Sequence, residues 1–409
     1  MPEHVTPEPR AHPVLFLILF LPLGISNGYV VVTLAYLLSQ AGVSVLAVGG
    51  LVAWSLFPQT WKFLWSPLVD TTLSIKTWFL LSAIATGALM VGTAVVPPSQ
   101  ANLVLIEVMV IGFSLASTFN AMAADSLMAH STAADEKGRA GGWSQAGNLG
   151  GTGLGGGAGL WIAQHASSAW MAGAALGGAC ILSAAALLFL KEPPAQHRVE
   201  SFIGSLRNVS RDVWSIISSR MGFLALIIMT LPIGVDSAQN LWAAVAGNWH
   251  ASADAVALVN GVLGGIVSMV GCLVGGFLAD KIDRKFAYCL FAIGLAVFTV
   301  AMALAPRTET MFVTFTLLYA LWMGFCYAAW GAIVLEAIGA GAAATKYNVL
   351  AGISNAPIAY QTIVDGWAQE KWGSSGMLYA DALCGVAGVV LFYLVVVASR
   401  GFVRKEVPA

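Results

Sequence analysis

The chain has 409 residues, 58% of them hydrophobic and only 10% charged, with a mean hydropathy of +0.81 and a formal net charge of -1. So little polar surface excludes a water-soluble globular domain, and a near-zero charge gives no basis for a nucleic-acid partner. The expected solvent is a lipid bilayer. Short alternating strand segments of a barrel are absent, so the expected fold class is an all-α polytopic membrane protein.

Apolar stretches able to cross about 30 Å of hydrocarbon as helices occur near 14–38, 45–68, 77–96, 102–128, 140–164, 169–190, 221–246, 255–279, 286–305, 311–336, 346–369 and 377–399. This predicts twelve transmembrane helices in two pseudo-symmetric six-helix halves, 1–190 and 221–399, with a linker at 191–220 and a tail at 400–409. The linker opens with Pro193-Pro194 and is basic, so it is expected to leave the membrane and form a short surface helix. The other loops are short, which leaves no room for a separate soluble domain and puts function inside the bundle.

Cytoplasmic loops retain Lys and Arg. With both termini inside, all nineteen basic residues except Lys62, Arg307 and Lys371 fall on the cytoplasmic side. The expected location is therefore the bacterial inner membrane, multi-pass, with both termini cytoplasmic. The first span is too long for a signal peptide and is followed directly by more spans.

Along the chain, the first span offers Asn27 and Tyr29, and the second carries Lys62 and ends at Asp70. Lys62 suits an anionic solute, a pair with Asp70, or snorkelling to the interface. The fourth span contains Glu107, Asn120 and Asp125, and Arg139 opens the fifth. Gly147, Gly151, Gly155 and Gly159 in that fifth span make a groove for close helix approach. A G-x-G-x-x-G pattern over 151–156 lacks the preceding strand that a nucleotide site needs.

The seventh span carries Leu231-Pro232 in its interior, which frees backbone carbonyls, and then presents Asp236, Gln239, Asn240 and Trp242. Ionisable residues inside a membrane usually face a partner or a cavity. Asp236, near mid-span, is the first candidate for proton coupling; Glu107, Asp365 and Asp381 lie nearer the outer face. Tyr319, Trp322, Tyr327 and Trp330 of the tenth span, with Asn355, Tyr360 and Gln361 of the eleventh, supply stacking faces and amides for a sizeable organic solute. Interfacial aromatic belts explain some of them equally well.

The five cysteines lie in spans and read as helix-packing residues, and the six histidines lie at termini, in loops or near helix ends. No metal site or cofactor is expected.

A partial repeat ties the halves together. Leu21-Pro22-Leu23-Gly24 recurs as Leu231-Pro232-Ile233-Gly234, and Leu68-Val69-Asp70 as Leu278-Ala279-Asp280, each 210 residues on. Arg139, Asn148 and Gly159 return as Lys346, Asn355 and Gly366, 207 residues on. Such order argues for a duplicated membrane unit with a cavity between related halves. Asp70, Asp125 and Arg139 in one half, and Asp280, Arg284, Glu336 and Lys346 in the other, form matching groups on the cytoplasmic edge. These are candidate gate charges, with static interfacial salt bridges the competing reading.

The six-plus-six pattern and the stretch Gly276-Phe277-Leu278-Ala279-Asp280-Lys281-Ile282-Asp283-Arg284-Lys285 resemble the major facilitator superfamily, with Asp283 where that family's loop signature usually has glycine. Lys62-Phe63-Leu64-Trp65-Ser66-Pro67-Leu68-Val69-Asp70 resembles the K-F-L-W-x-P-L-x-D segment of the peptide and acetyl-coenzyme A transporter branch, which includes AmpG-type muropeptide permeases and related siderophore importers. The fifth span lacks the proline of the antiporter signature, and some AmpG-type proteins have two extra spans.

The resemblance implies rocking of the halves around a cavity lined by spans one, four, seven and ten, usually driven by protons. The expectation is a monomeric proton-coupled secondary transporter importing an amphipathic organic solute such as a muropeptide or siderophore. A proton-coupled drug exporter is the alternative. An intramembrane enzyme acting on lipid or an acyl carrier stands third, against the absence of any mid-membrane histidine.

Overall fold

The computed structural model describes residues 12, 14–132, 137–168, 170–192, 202–279, 281–338 and 349–403. Among them every regular element is helical, as expected where no water is available to bond backbone groups. Among the described residues eight helices are long and apolar enough to cross a membrane: Val14–Gln40, Ile75–Val95, Gln100–Met128, Trp170–Phe189, Ala253–Ala279, Arg284–Leu304, Glu309–Val334 and Val349–Ala398. The last is two passes, because the helical backbone breaks at Gly373 (φ 69°) and Asp365 and Asp381 on either side of it face each other.

Three further segments complete the twelve passes, and each falls short by length and hydropathy for a visible reason. The second span divides at Trp61 into Val45–Thr60 and Lys62–Thr71. The fifth, Lys137–Gly153 continued through Leu154–Ala158 to His165, is diluted by glycine. The seventh is broken after Arg220–Thr230 and resumes as short turns from Ala238 to Trp249. The linker contributes a surface helix, Phe202–Ser218, with Ile203 and Trp214 exposed.

Glycine decides which helices lie closest. A Cβ placed at Gly147 would stand 2.2 Å from Leu17 O, one at Gly155 2.0 Å from Ile25 O, and one at Gly24 1.9 Å from Asn148 O, so the first span fills the groove of the fifth at backbone contact. The same device joins spans eight and ten, where a Cβ at Gly271 would meet Leu321 O at 2.2 Å and one at Gly324 would meet Ser268 O at 2.2 Å. Only small residues permit such approach in lipid.

Among the described residues the broadest contacts between the halves set the second span against the eleventh and the fifth against the eighth, and the end of the first span also meets the seventh. The repeat maps second onto eighth and fifth onto eleventh, so each interface is the image of the other. Gly157 and Gly261 touch across the fifth–eighth contact, and Gly49 approaches Thr362 O across the second–eleventh contact. Ser39 at the end of the first span donates to Ala244 O of the seventh at 2.5 Å, and His165 faces Asp254 at 3.8 Å. All of these contacts sit toward the end that carries the 41–44 and 250–252 turns, where the buried Tyr29, Trp242, Trp249, Phe113 and Phe312 form one continuous core.

Three spans carry a π-helical turn in this region: Tyr29–Leu34, Leu154–Ala158 and Leu258–Leu263. The first and second touch, as do the second and third. Thr33 exploits the widened turn of the fifth span, donating to Gly155 O at 2.7 Å.

Candidate functional site

The break in the seventh span follows from two residues. Pro232 has no N–H to continue the helix, and Gly234 adopts φ 58°, a left-handed conformation that glycine takes without cost. Carbonyls freed by the break need donors in a water-free interior. Tyrosines from three different spans supply them: Tyr360 donates to Thr230 O at 2.8 Å, Tyr288 to Ile233 O, and Tyr319 to Val235 O at 3.2 Å.

The unwound stretch aims Asp236 at a cavity of about 160 Å³. Asp236 Oδ2 accepts from the Tyr327 hydroxyl at 2.8 Å, while Oδ1 is buried without a hydrogen-bond partner. Met229, Leu231, Tyr288, Met323, Cys326, Trp330, Asn355 and Ile358 complete much of the wall. The lining is therefore aromatic, aliphatic and sulfur-bearing, with one carboxyl, one amide and a few hydroxyls as polar points. That combination suits an amphipathic molecule held by stacking and a few hydrogen bonds.

Behind this wall lies a second polar cluster. Ser237 donates to Asp381 Oδ1 at 2.7 Å, and Thr299 stands 3.5 Å from Oδ2. Gln361 donates to Asp365 Oδ1 at 2.8 Å, Asp365 Oδ2 accepts no hydrogen bond among the described residues, and both acids are buried. One residue, Ser237, thus links the cluster to Asp236 through a single peptide bond.

Of the residues expected to line a cavity, Asp236, Tyr327, Trp330 and Asn355 do so, all from the second half. Tyr29 and Trp242 instead pack in the core, Trp242 edge-on to Tyr319 with ring centroids 5.5 Å apart. Asn120 is fully buried and donates to Phe79 O at 3.2 Å. Asn27 accepts from Gln59 at 2.8 Å, Asn240 donates to Thr362 at 3.1 Å, Tyr360 and Gln361 serve the contacts given above, and Gln239 is exposed. None of these side chains is in the cavity wall, and all but the exposed Gln239 pack or hydrogen-bond in the frame around it.

Glu107 is half-buried near the far end of the fourth span, away from the cavity. Lys62 acts electrostatically on Asp125 of the fourth span, a partner the linear spacing to Asp70 did not suggest. The side chains of Asp70, Arg139 and Glu336, and the whole of Asp280 and Lys346, lie outside the described residues. Asp283, the departure from the family's glycine, caps the ninth span by accepting from Phe286 N–H at 2.9 Å, and Arg284 follows it. Among the described residues no three His, Cys, Asp or Glu side chains gather as metal ligands would.

Sequence reasoning missed Ser237, Thr299, Tyr288 and the pairing of Asp365 with Asp381. One signal was present: both acids lie eight residues from Gly373, so a turn there puts them at one depth, about 12 Å in at 1.5 Å per residue.

The overall arrangement is shared with solved transporters. It superposes on a D-xylose-proton symporter with TM-score 0.73 at 13% identity, covering 93% of this chain and 96% of that one. The nucleoside transporter NupG gives 0.71 at 12%, covering 93% and 98%. A bacterial homologue of the human lysosomal transporter Spinster gives 0.67 at 16%, covering 97% and 98%. Identities this low carry the fold alone. No protein of curated function matches the sequence. The family description "Major Facilitator Superfamily" matches residues 14–360, most of the chain and both halves of the bundle, and the protein belongs to that superfamily of multi-pass membrane transporters.

Proposed function

We propose that the chain is a monomeric, proton-coupled secondary transporter that imports an amphipathic organic solute by alternating access, its halves 1–190 and 221–399 rocking about the linker 191–220. The observation that carries this reading is Asp236: a carboxyl on an unwound mid-span segment, facing a small, largely apolar cavity and held by one tyrosine hydroxyl with its other oxygen free. A carboxyl so placed can take a proton on one side of the membrane and release it on the other while sharing the cavity with solute. The fold shared with a D-xylose-proton symporter supports coupling of this kind.

Asp236 is the coupling acid, Asp365 a second protonatable group behind it, and Glu107 a third near the far end of its span. Asp125, Lys62 and Arg284 with the unplaced Asp70, Arg139, Asp280, Glu336 and Lys346 form the cytoplasmic gate, both termini being cytoplasmic in the bacterial inner membrane. The solute belongs to the muropeptide or siderophore type, as the Lys62–Asp70 segment suggests. A cavity of about 160 Å³ is below the roughly 300–1,000 Å³ of drug-sized ligand pockets, so a solute of that size requires the halves to part.

Proteoliposomes under an imposed pH gradient test the reading. Accumulation of muropeptide or siderophore down an inward proton gradient is expected, and Asp236→Asn is expected to abolish it. Undiminished accumulation by that variant would refute the coupling assignment, and accumulation only under an outward proton gradient would make the protein an exporter.

A further inference from the structure

Asp365 and Asp381 pose a charge problem that the surrounding residues leave unsolved. They approach within hydrogen-bonding reach across the Gly373 turn, and both are buried. The titratable groups facing them are Tyr319 of the tenth span, Asp236 of the seventh and Cys384 of the twelfth. Each of these is neutral or anionic, and the donors that reach the pair, Ser237, Thr299 and Gln361, are uncharged. Two ionised carboxylates that close in a low-dielectric interior repel strongly, and one shared proton removes the repulsion and makes a short O–H···O bond. Asp365 Oδ2, buried and accepting no hydrogen bond among the described residues, is the oxygen such a proton would occupy.

We propose that Asp365 and Asp381 form a single proton-binding unit, one proton shared between two carboxyls, and that Ser237 ties its state to the unwound segment bearing Asp236. This deepens the proton-coupled reading and rests on it. With the proton in place the two acids hold the eleventh and twelfth spans together, and Asp381 anchors Ser237. When the proton leaves, the acids push apart, and the anchor of the unwound segment moves with Asp381. The neighbouring Asp236 is then reoriented without any change in its own partners. The two sites titrate as a linked system.

Infrared difference spectra of the full-length protein in liposomes, recorded during an alkaline titration, test this directly. A protonated-carboxyl C=O band that disappears on alkalinisation is expected in the native protein and in Asp236→Asn. The same band is expected to be absent from Asp365→Asn and from Asp381→Asn, because a single Asn leaves one carboxylate donated to by an amide and no proton to share. Each Asn variant imitates the neutral pair in shape, and a thermal melt confirms its folding. Persistence of the band in both single variants would overturn the proposal. So would a sodium-dependent rise in melting temperature that both variants lose, which would make sodium the shared cation. If either result came while Asp236→Asn still abolished gradient-driven uptake, the pair alone would fall and the transport reading would stand.

Discussion

The Tyr327 hydroxyl, carried by the tenth span, donates to Asp236 Oδ2 at 2.8 Å on the unwound part of the seventh. Among the described residues it is the one side-chain hydrogen bond that joins the carboxyl to a different helix. A hydrogen bond to a charged group contributes about 1.5–3 kcal/mol. Tyr327→Phe is therefore expected to lower gradient-driven accumulation by roughly tenfold or more. Tyr393→Phe, on the exposed face of the twelfth span, is the control expected to leave uptake in place.

The tyrosine caps on the broken span give a stability prediction. Tyr288→Phe removes the hydroxyl that satisfies Ile233 O and leaves a buried carbonyl without a donor, at a cost of about 1–3 kcal/mol. A lower melting temperature in detergent is expected. An unchanged one would mean that another donor reaches the carbonyl.

Helix contact through glycine predicts opposite outcomes at neighbouring positions. Gly155→Ala must displace Ile25 O, only 2.0 Å from the new Cβ, and is expected to cost about 1–3 kcal/mol or more by overpacking. Gly150→Ala meets nothing within 4 Å and gains helix propensity of just under about 1 kcal/mol. Melting temperatures of the two variants should move in opposite directions.

At the end bearing the 305–308 turn, the Arg307 guanidinium lies 4.0 Å from the Trp249 ring centroid and donates to Ser375 at 2.5 Å. It joins the ends of the seventh and twelfth spans. Arg307→Ala is expected to lose about 1–2 kcal/mol, and Arg307→Lys to restore little of it, since an ammonium lacks the planar fork. Thermal melts of the pair check this.

The architecture was readable from hydropathy because lipid allows a crossing segment only a few solutions. The seventh-span break was readable at Leu231-Pro232, and Asp236 beside it. What escaped was everything that depends on pairing between distant segments. Tyr29 and Trp242 look like ligand-stacking residues in the sequence, but a closed inter-half contact buries them. Tyr319, which the sequence offers as a stacking face, and Tyr288, which nothing in the sequence singles out, cap carbonyls on another helix. Asp381 reads in the sequence as a separate outer acid, and the turn at Gly373 brings it to Asp365.

The π-helical turns at Tyr29–Leu34, Leu154–Ala158 and Leu258–Leu263 each hold an additional residue without lengthening the rod by a full α-helical step. A residue taken up in this way leaves the helix ends on either side in nearly the phase of an uninterrupted α-helix. Deleting Val31 and closing the turn would keep Ser39 facing Ala244 O and Tyr36 in the core, whereas deleting a residue from a regular stretch of the same span would swing everything beyond it by about 100°. Each wide turn is thus a place where the span can lose a residue without losing its aim.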